Sequence, residues 1–147
     1  GDCLLMDHRG QRDRIEVKLT ADGESQTLTA RHVAPDNWEH IALSLGDGEM
    51  RLFVNGEQRG KISTPIELFE IAPKAAGLEV NAAFIGRDRD GRHFSGDLDN
   101  LKFFHDVLDQ PRIERAMLED ASPRQLVNFR EESRKQSRAD RKKKSKK

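Results

Sequence analysis

The charged side chains best placed to bind a ligand lie in one short stretch, Arg87-Asp-Arg-Asp-Gly-Arg-His93. Five of them are candidate ligand-binding residues: Arg87, Asp88, Asp90, Arg92 and His93. Aspartates at alternate positions before a glycine are typical of a calcium loop, but Gly86 stands where the first carboxylate is needed. The alternating charges favour a polar hairpin tip instead. Because loops on a rigid scaffold commonly carry function, this tip is the predicted binding site.

Sequence patterns that support catalysis are incomplete in this chain. Gly56-Glu-Gln-Arg-Gly-Lys61 resembles a phosphate loop, but it is one residue too short between its glycines, and Ile62 replaces the hydroxyl residue that binds Mg²⁺. The five histidines never share a metal-ligand spacing. We therefore predict that the chain is not an enzyme.

The elements that would position the binding loop are predominantly short strands. In Arg14-Ile-Glu-Val-Lys-Leu-Thr20 apolar and charged residues alternate, which is typical of a half-buried strand. Asn55-Gly56 favours a type I′ hairpin turn, because both residues tolerate positive φ. Similar patterns and turn residues predict strands over 3–6, 14–20, 26–31, 41–45, 50–54, 58–62, 78–86 and 94–104.

The last of these strands departs from simple alternation, and two helices are predicted to follow it. A β-bulge near Asp99 would place Leu98, Leu101 and Phe103 on one core-facing side. Asp109 is a helix N-cap with a proline in the first turn, and Ser122 begins a capping box for a second helix.

Charge is unevenly distributed, although the whole chain is neutral. Residues 1–129 contain 23 acidic and 16 basic side chains, whereas residues 130–147 contain 3 acidic and 10 basic ones. With no large apolar residue beyond Arg130, we expect a disordered or loosely helical basic tail that attracts acidic partners non-specifically. It lacks aromatics for base stacking, so specific nucleic-acid recognition is not expected. No apolar run is long enough for a transmembrane helix.

Four spaced fragments carry a resemblance to a known family: Trp38-Glu-His-Ile-Ala42, Leu52-Phe-Val-Asn-Gly56, Phe84-Ile-Gly-Arg87 and Phe94-Ser-Gly-Asp-Leu-Asp-Asn-Leu-Lys-Phe103. Their order and spacing resemble the second half of a laminin-G-like domain, one of the concanavalin A-like jelly rolls. The opening strands of that family have no counterpart here, and Cys3 to Met6 reads as a strand already under way. We therefore interpret the chain as the C-terminal part of a longer protein.

The resemblance implies an all-β fold, an antiparallel jelly-roll sandwich with short C-terminal helices and a disordered basic tail. We expect a partial sandwich domain over residues 1–121, followed by a helix and tail over 122–147. The implied function is a non-catalytic module of a larger secreted, periplasmic or cell-surface protein, with a glycan or an extracellular protein as its partner. The alternative is an accessory structural domain that packs on an upstream enzyme domain of the same polypeptide and binds no ligand of its own.

The resemblance also bears on individual side chains. Asp99 matches the family position that often holds a structural Ca²⁺, the one cofactor implied; the alternative is an aspartate that caps a turn. Trp38 matches a packing residue of the family, although a tryptophan can also stack on a sugar ring. Phe53 is predicted to point to the face of its strand opposite to that of Leu52 and Val54. It therefore belongs either to a second core layer or to a concave binding surface.

Some relatives of this fold are glycosidases, which need two carboxylates that face one cleft. Glu67-Leu-Phe-Glu70 lacks the middle aspartate of the related enzymes, and Asp97-Leu-Asp99 lacks both glutamates. Glycosidase activity is therefore not expected.

Overall fold

The computed structural model describes residues 3–9, 14–21, 23–31, 37–66, 85–87 and 90–144. These residues form six strands and two helices. The strands are β1 (Cys3–Arg9), β2 (Arg14–Ala21), β3 (Glu24–Arg31), β4 (Ile41–Gly46), β5 (Glu49–Val54) and β6 (Glu57–Ser63), and the helices are α1 (Gln110–Asp120) and α2 (Pro123–Lys144). The six strands confirm the predictions made for those parts of the chain, whereas the strand predicted over 78–86 lies almost entirely outside the described residues.

The first sheet contains β1, β2 and β3, paired antiparallel in sequence order. Its strands alternate as predicted. Ile15, Val17 and Leu19 of β2 are buried, while Arg14 before them and Lys18 between Val17 and Leu19 are exposed. Because successive side chains of a strand point to opposite faces, this sheet has one apolar inner face and one polar outer face.

The second sheet contains β4, β5 and β6, also paired antiparallel in sequence order. Its two hairpins are closed by two-residue turns, Asp47-Gly48 and Asn55-Gly56. All four turn residues have positive φ, at 54° and 73° in the first turn and 52° and 79° in the second. Such angles define the type I′ turn, whose twist matches that of the flanking strands. The type I′ prediction for Asn55-Gly56 is confirmed.

The core lies between the inner faces of the two sheets. Strand β3 packs across β5 and β6. A Cβ placed on Gly60 would come within 2.8 Å of Leu28 Cδ1, so the absence of a side chain at Gly60 allows β6 to approach β3 closely. The buried residues of this core are Ile15, Val17, Leu19, Ala21, Leu28, Ala30, Met50, Leu52, Val54 and Ile66.

A second, smaller apolar cluster lies on the outer face of the second sheet. Phe53 is 1% exposed and packs with Leu108 and Ile113, the latter from α1. The hydroxyl of Ser44 in β4 donates to the carbonyl of Leu108 at 3.1 Å, which fixes the chain just before α1 against the sheet. The interpretation of Phe53 as second-layer core is therefore confirmed.

Both helices begin where the capping residues predict. The Asp109 carboxylate accepts a hydrogen bond from the Arg112 backbone N–H at 3.1 Å, and Pro111 lies in the first turn. Ser122 and Gln125 form the reciprocal capping box, with bonds of 2.7 and 3.3 Å. These bonds satisfy N–H groups that a helix start otherwise leaves without partners.

The expected disordered tail is wrong as far as Lys144, because α2 continues to that residue. The loosely helical alternative is the better description. Beyond Pro123 the chain contains no further proline and no glycine, and arginine, lysine, glutamine and glutamate all have high helix propensity. The helix therefore propagates without a large apolar face.

The strand predicted over 94–104 is absent from the described structure. Leu98, Leu101 and Phe103 are 60%, 61% and 84% exposed, so their predicted place in the core is also wrong. Asn100 has a φ of 53°, a left-handed conformation that interrupts an extended strand. Without a continuous strand the three side chains cannot share one buried face.

The architecture is thus mostly β, with two antiparallel three-stranded sheets packed face to face. Each sheet joins consecutive strands, and jelly-roll connectivity stays a prediction. Neither helix of the described chain combines the length and the apolar character needed to cross a membrane.

Candidate functional site

The predicted binding loop is the tip of a small hairpin between Gly86 and Phe94, here called the arginine hairpin. Arg87 and His93 form an antiparallel bridge, and the Phe94 N–H donates to the Gly86 carbonyl at 2.8 Å. Gly86 and Gly91 have φ of 75° and 79°, conformations that side-chain-bearing residues adopt only with strain. The glycines therefore allow the chain to reverse within a few residues.

This hairpin brings four of the five predicted ligand-binding residues together. Arg87, Asp90, Arg92 and His93 are all exposed, and the Arg92 guanidinium lies 3.8 Å from the Asp90 carboxylate. Asp88 lies outside the described residues. The bridge places Arg87 and His93 side by side across the hairpin, so a ligand there would meet two groups that donate hydrogen bonds.

Apolar side chains flank the arginine hairpin. Ile85 and Phe94, at its two ends, are 62% and 41% exposed. A Cβ on Gly86 would lie 3.9 Å from Leu98 Cδ1, so the following segment returns to the hairpin. Charged donors and exposed apolar groups in one place are a combination typical of interaction surfaces.

Asp99, the predicted metal ligand, is exposed in the segment after the arginine hairpin. Among the described residues, no three or more histidine, cysteine, aspartate or glutamate side chains lie close enough together to hold a metal ion. Asp99 and its described neighbours therefore do not fit a calcium site by themselves, and calcium binding stays a prediction.

Trp38 does not have the core position that its match to a packing residue of the family predicts. It precedes β4 by three residues, is 36% exposed, and belongs to neither buried cluster. Trp38 lies before the first paired residue of β4. The inter-strand hydrogen bonds of the sheet therefore do not fix the chain at this point, which explains the exposure of Trp38.

His40 and Asn55 form a contact that the sequence reasoning missed. The Asn55 side-chain carbonyl accepts from the His40 N–H at 2.9 Å, and the Asn55 N–H donates to the His40 carbonyl at 2.8 Å. This pair ties the chain before β4 to the turn after β5. Two of the four fragments that carry the family resemblance therefore meet in space.

The free energy of unfolding is expected to fall as the pH drops below 6.5, the ordinary pKa of a histidine, because of His40. Burial, followed by the nearby charge of Lys102, holds the pKa of His40 below its ordinary value of 6.5. The unfolded chain therefore binds a proton in this range more readily than the folded chain, which lowers the free energy of unfolding as the pH falls. Urea unfolding over this range should show a flatter pH profile for His40→Gln than for the unmodified chain.

The matched control for this prediction is His105→Gln, since His105 is exposed. It should keep the pH profile of the unmodified chain. Equal pH profiles for His40→Gln and the unmodified chain would show that the His40 side chain does not contribute.

Two packed antiparallel sheets with a helix on the outer side define a β-sandwich protein, and the family comparison agrees. The family model described as the concanavalin A-like lectin/glucanases superfamily, of laminin-G type, matches residues 4–114. The chain belongs to this family. The resemblance noted from the four fragments is thereby confirmed.

Comparison with individual proteins adds less. No curated protein matches the chain. A crystal structure of an S-layer domain-containing protein from Clostridium thermocellum is similar, with 17% sequence identity and a TM-score of 0.42. The match covers 78% of this chain and 62% of that one, so the chain corresponds to less than two thirds of that structure.

Proposed function

We propose that the chain is a non-catalytic recognition module of a larger secreted, periplasmic or cell-surface protein, and that it binds a glycan or a protein through the arginine hairpin. The observation that carries this proposal is the hairpin itself. It presents Arg87, Arg92 and His93 to solvent at or beside the bridge between Arg87 and His93, between the exposed side chains of Ile85 and Phe94.

The chemistry of these groups suits the proposed ligands. Guanidinium groups donate several hydrogen bonds in fixed directions, which favours acidic groups and the hydroxyls of sugars. Apolar and aromatic side chains beside them can cover the less polar parts of a ligand. Family membership supports a binding role, since lectins belong to this superfamily by its description.

A non-catalytic role is supported by the setting of the carboxylates after the hairpin. Asp97 and Asp99 are both exposed in the described structure. A general acid for glycoside hydrolysis needs an apolar, water-poor environment and a second carboxylate across the cleft. Glu67 and Glu70, the other pair considered, lie outside the described residues.

A glycan array tests the proposal, with the full chain applied in the presence and in the absence of calcium. The double variant Arg87→Gln/Arg92→Gln should bind the glycan that the unmodified chain prefers about thirtyfold more weakly, since each of the two lost charge-assisted bonds removes about 1 kcal/mol. A difference between the calcium arms would support the predicted calcium binding.

The matched control is Arg115→Gln/Arg124→Gln, which removes two exposed charges of the same kind from α1 and α2. It should bind like the unmodified chain. Equal binding by the hairpin variant and this control would contradict the proposal that the hairpin is the binding site.

A second candidate function is an accessory structural domain that packs on a neighbouring domain of the same polypeptide. The observation in its favour is the run of exposed apolar side chains after the hairpin, of which Phe103 at 84% is the most exposed. A face of this kind is normally covered by a partner. Uniformly weak signals across the whole glycan array would favour this role.

The basic part of α2 supports a separate, non-specific attraction to acidic partners. Arg134 and Arg138 are exposed on the helix, and the region from residue 130 onward is strongly basic. Attraction of this kind is electrostatic and falls steeply as salt is added. It accompanies the recognition role and does not replace it.

A further inference from the structure

The register of the first sheet aligns three arginines across all three of its strands, one row that the sequence order does not reveal. Arg9 of β1 lies opposite Arg14 of β2, and Arg14 lies opposite Arg31 of β3. Adjacent strands are about 4.8 Å apart, so the row spans about 10 Å. Arg14 and Arg31 are exposed on the outer face, away from the core.

The facing pair Arg14 and Arg31 in this row is unfavourable in the absence of a ligand. Like charges directly opposite each other on neighbouring strands destabilise a sheet. Among the described interactions, neither Arg14 nor Arg31 has a side-chain ion pair to offset this repulsion. An anion held between the two guanidinium groups would remove the repulsion and accept several charge-assisted hydrogen bonds.

The other side chains on the outer face of the first sheet indicate which class of anionic partner fits this surface. Asp7 and Glu16 follow as the next row on this face, and each already has an interaction partner. Thr29 completes this row, and the remaining positions of the face toward the opposite end are Cys3, Leu5, Lys18, Thr20, Ser25 and Thr27. None of these is aromatic, so the face offers no platform for nucleic-acid bases. Hydroxyls beside arginines suit a sugar polymer with acidic groups.

We propose that the outer face of the first sheet, centred on Arg14 and Arg31, is a binding site for an acidic polysaccharide. This inference rests on the proposed recognition role but assigns a second surface, distinct in sequence from the arginine hairpin. One carboxylate or sulfate of the polymer lies between the two arginines, and neighbouring sugar hydroxyls bond to the threonines.

The test measures binding of the full chain to dextran sulfate, with uncharged dextran as the neutral arm. Arg14→Gln/Arg31→Gln should bind dextran sulfate about tenfold more weakly, because the charge-assisted bonds are lost. The control Arg115→Gln/Arg124→Gln removes two charges of the same kind from α1 and α2. It should weaken binding to dextran sulfate much less. Equal loss in both variants would mean that overall charge, or the basic helix α2, carries the binding, and would overturn the inference.

A thermal unfolding measurement gives a second test, in which the variant without ligand is expected to gain stability although it loses binding. Without ligand, Arg14→Gln/Arg31→Gln should have a higher Tm than the unmodified chain, because the repulsion across β2 and β3 is relieved. With dextran sulfate, the unmodified chain should gain Tm and this variant should not. A lower Tm of the variant without ligand, or an equal gain in both proteins, would count against the site.

Two further comparisons separate this inference from others. If single-stranded DNA binds as tightly as dextran sulfate and depends equally on Arg14 and Arg31, the polysaccharide is the wrong partner. Failure of the hairpin variant to alter glycan binding contradicts only the proposed hairpin site, since dextran sulfate binding depends on a different pair of arginines.

Discussion

Replacing Phe53 by alanine is expected to lower the free energy of unfolding by about 3–5 kcal/mol, the usual cost of truncating a buried aromatic side chain. Phe53 is 1% exposed and forms the centre of the cluster with Leu108 and Ile113. Its removal leaves a cavity between the second sheet and the chain entering α1. The segment is held there by the Ser44 hydroxyl and cannot simply collapse to fill the space.

Phe103→Ala is the matched control, because the same side chain is removed from a position that is 84% exposed. Its effect should stay within about 0.5 kcal/mol, as for other surface substitutions. Urea unfolding followed by circular dichroism measures both variants. Similar losses of unfolding free energy in Phe53→Ala and Phe103→Ala would show either that α1 does not cover Phe53 or that Phe103 is buried.

Replacing Gly46 by alanine is expected to lower the free energy of unfolding by about 2–6 kcal/mol. Gly46 has a φ of 150°, in a region that is strained for any residue with a side chain, and such strain costs about 1–3 kcal/mol. A Cβ at this position would also overlap Val107 Cγ2. Overpacking of that kind adds about 1–3 kcal/mol, because either the side chain or the backbone must move.

Gly48→Ala separates these two contributions within the same hairpin. Gly48 has a φ of 73°, but a Cβ built there meets no atom within 4 Å. This variant should therefore show only the cost of backbone strain, about 1–2 kcal/mol. Thermal or urea unfolding compares the two. A Gly46→Ala variant no less stable than Gly48→Ala would mean that the segment before α1 does not contact β4.

Most of the fold was predictable from the sequence because its signals are local. Alternation in Arg14 to Thr20 predicts β2, and the Asn55-Gly56 pair predicts the turn that follows β5. The N-caps Asp109 and Ser122 predict the helix starts, since a cap depends on residues only three positions apart. In each case one short window of sequence contains the whole physical cause.

The features that were missed depend on residues distant in sequence. The two motifs that contain His40 and Asn55 were noted separately, but only folding brings their hydrogen-bonding groups together. The exposure of Leu98 follows from the failure of its segment to pair as a strand, which apolar spacing does not report. Arg14 and Arg31 face each other only once the register between β2 and β3 is known.

The candidate site falls between these cases. Arg87 and His93 were chosen because charges alternate around Gly91, and the structure does join them in one bridge. The sequence pattern could not specify which apolar side chains lie beside these two residues. That depends on the close approach of Leu98 to Gly86 in the folded chain. The charge pattern therefore located the loop, whereas the neighbours of the loop are known only from the folded structure.

The description of this chain as a β-sandwich depends on the two sheets packing face to face, and an NMR measurement tests that packing most directly. The Leu28 side chain of β3 lies against Gly60 of β6, so a nuclear Overhauser cross-peak is expected between the Leu28 methyl protons and the Gly60 α-protons. Leu28 and Val17 are partners within the first sheet and supply the reference peak. A reference peak without the cross-peak between Leu28 and Gly60 would contradict the sandwich.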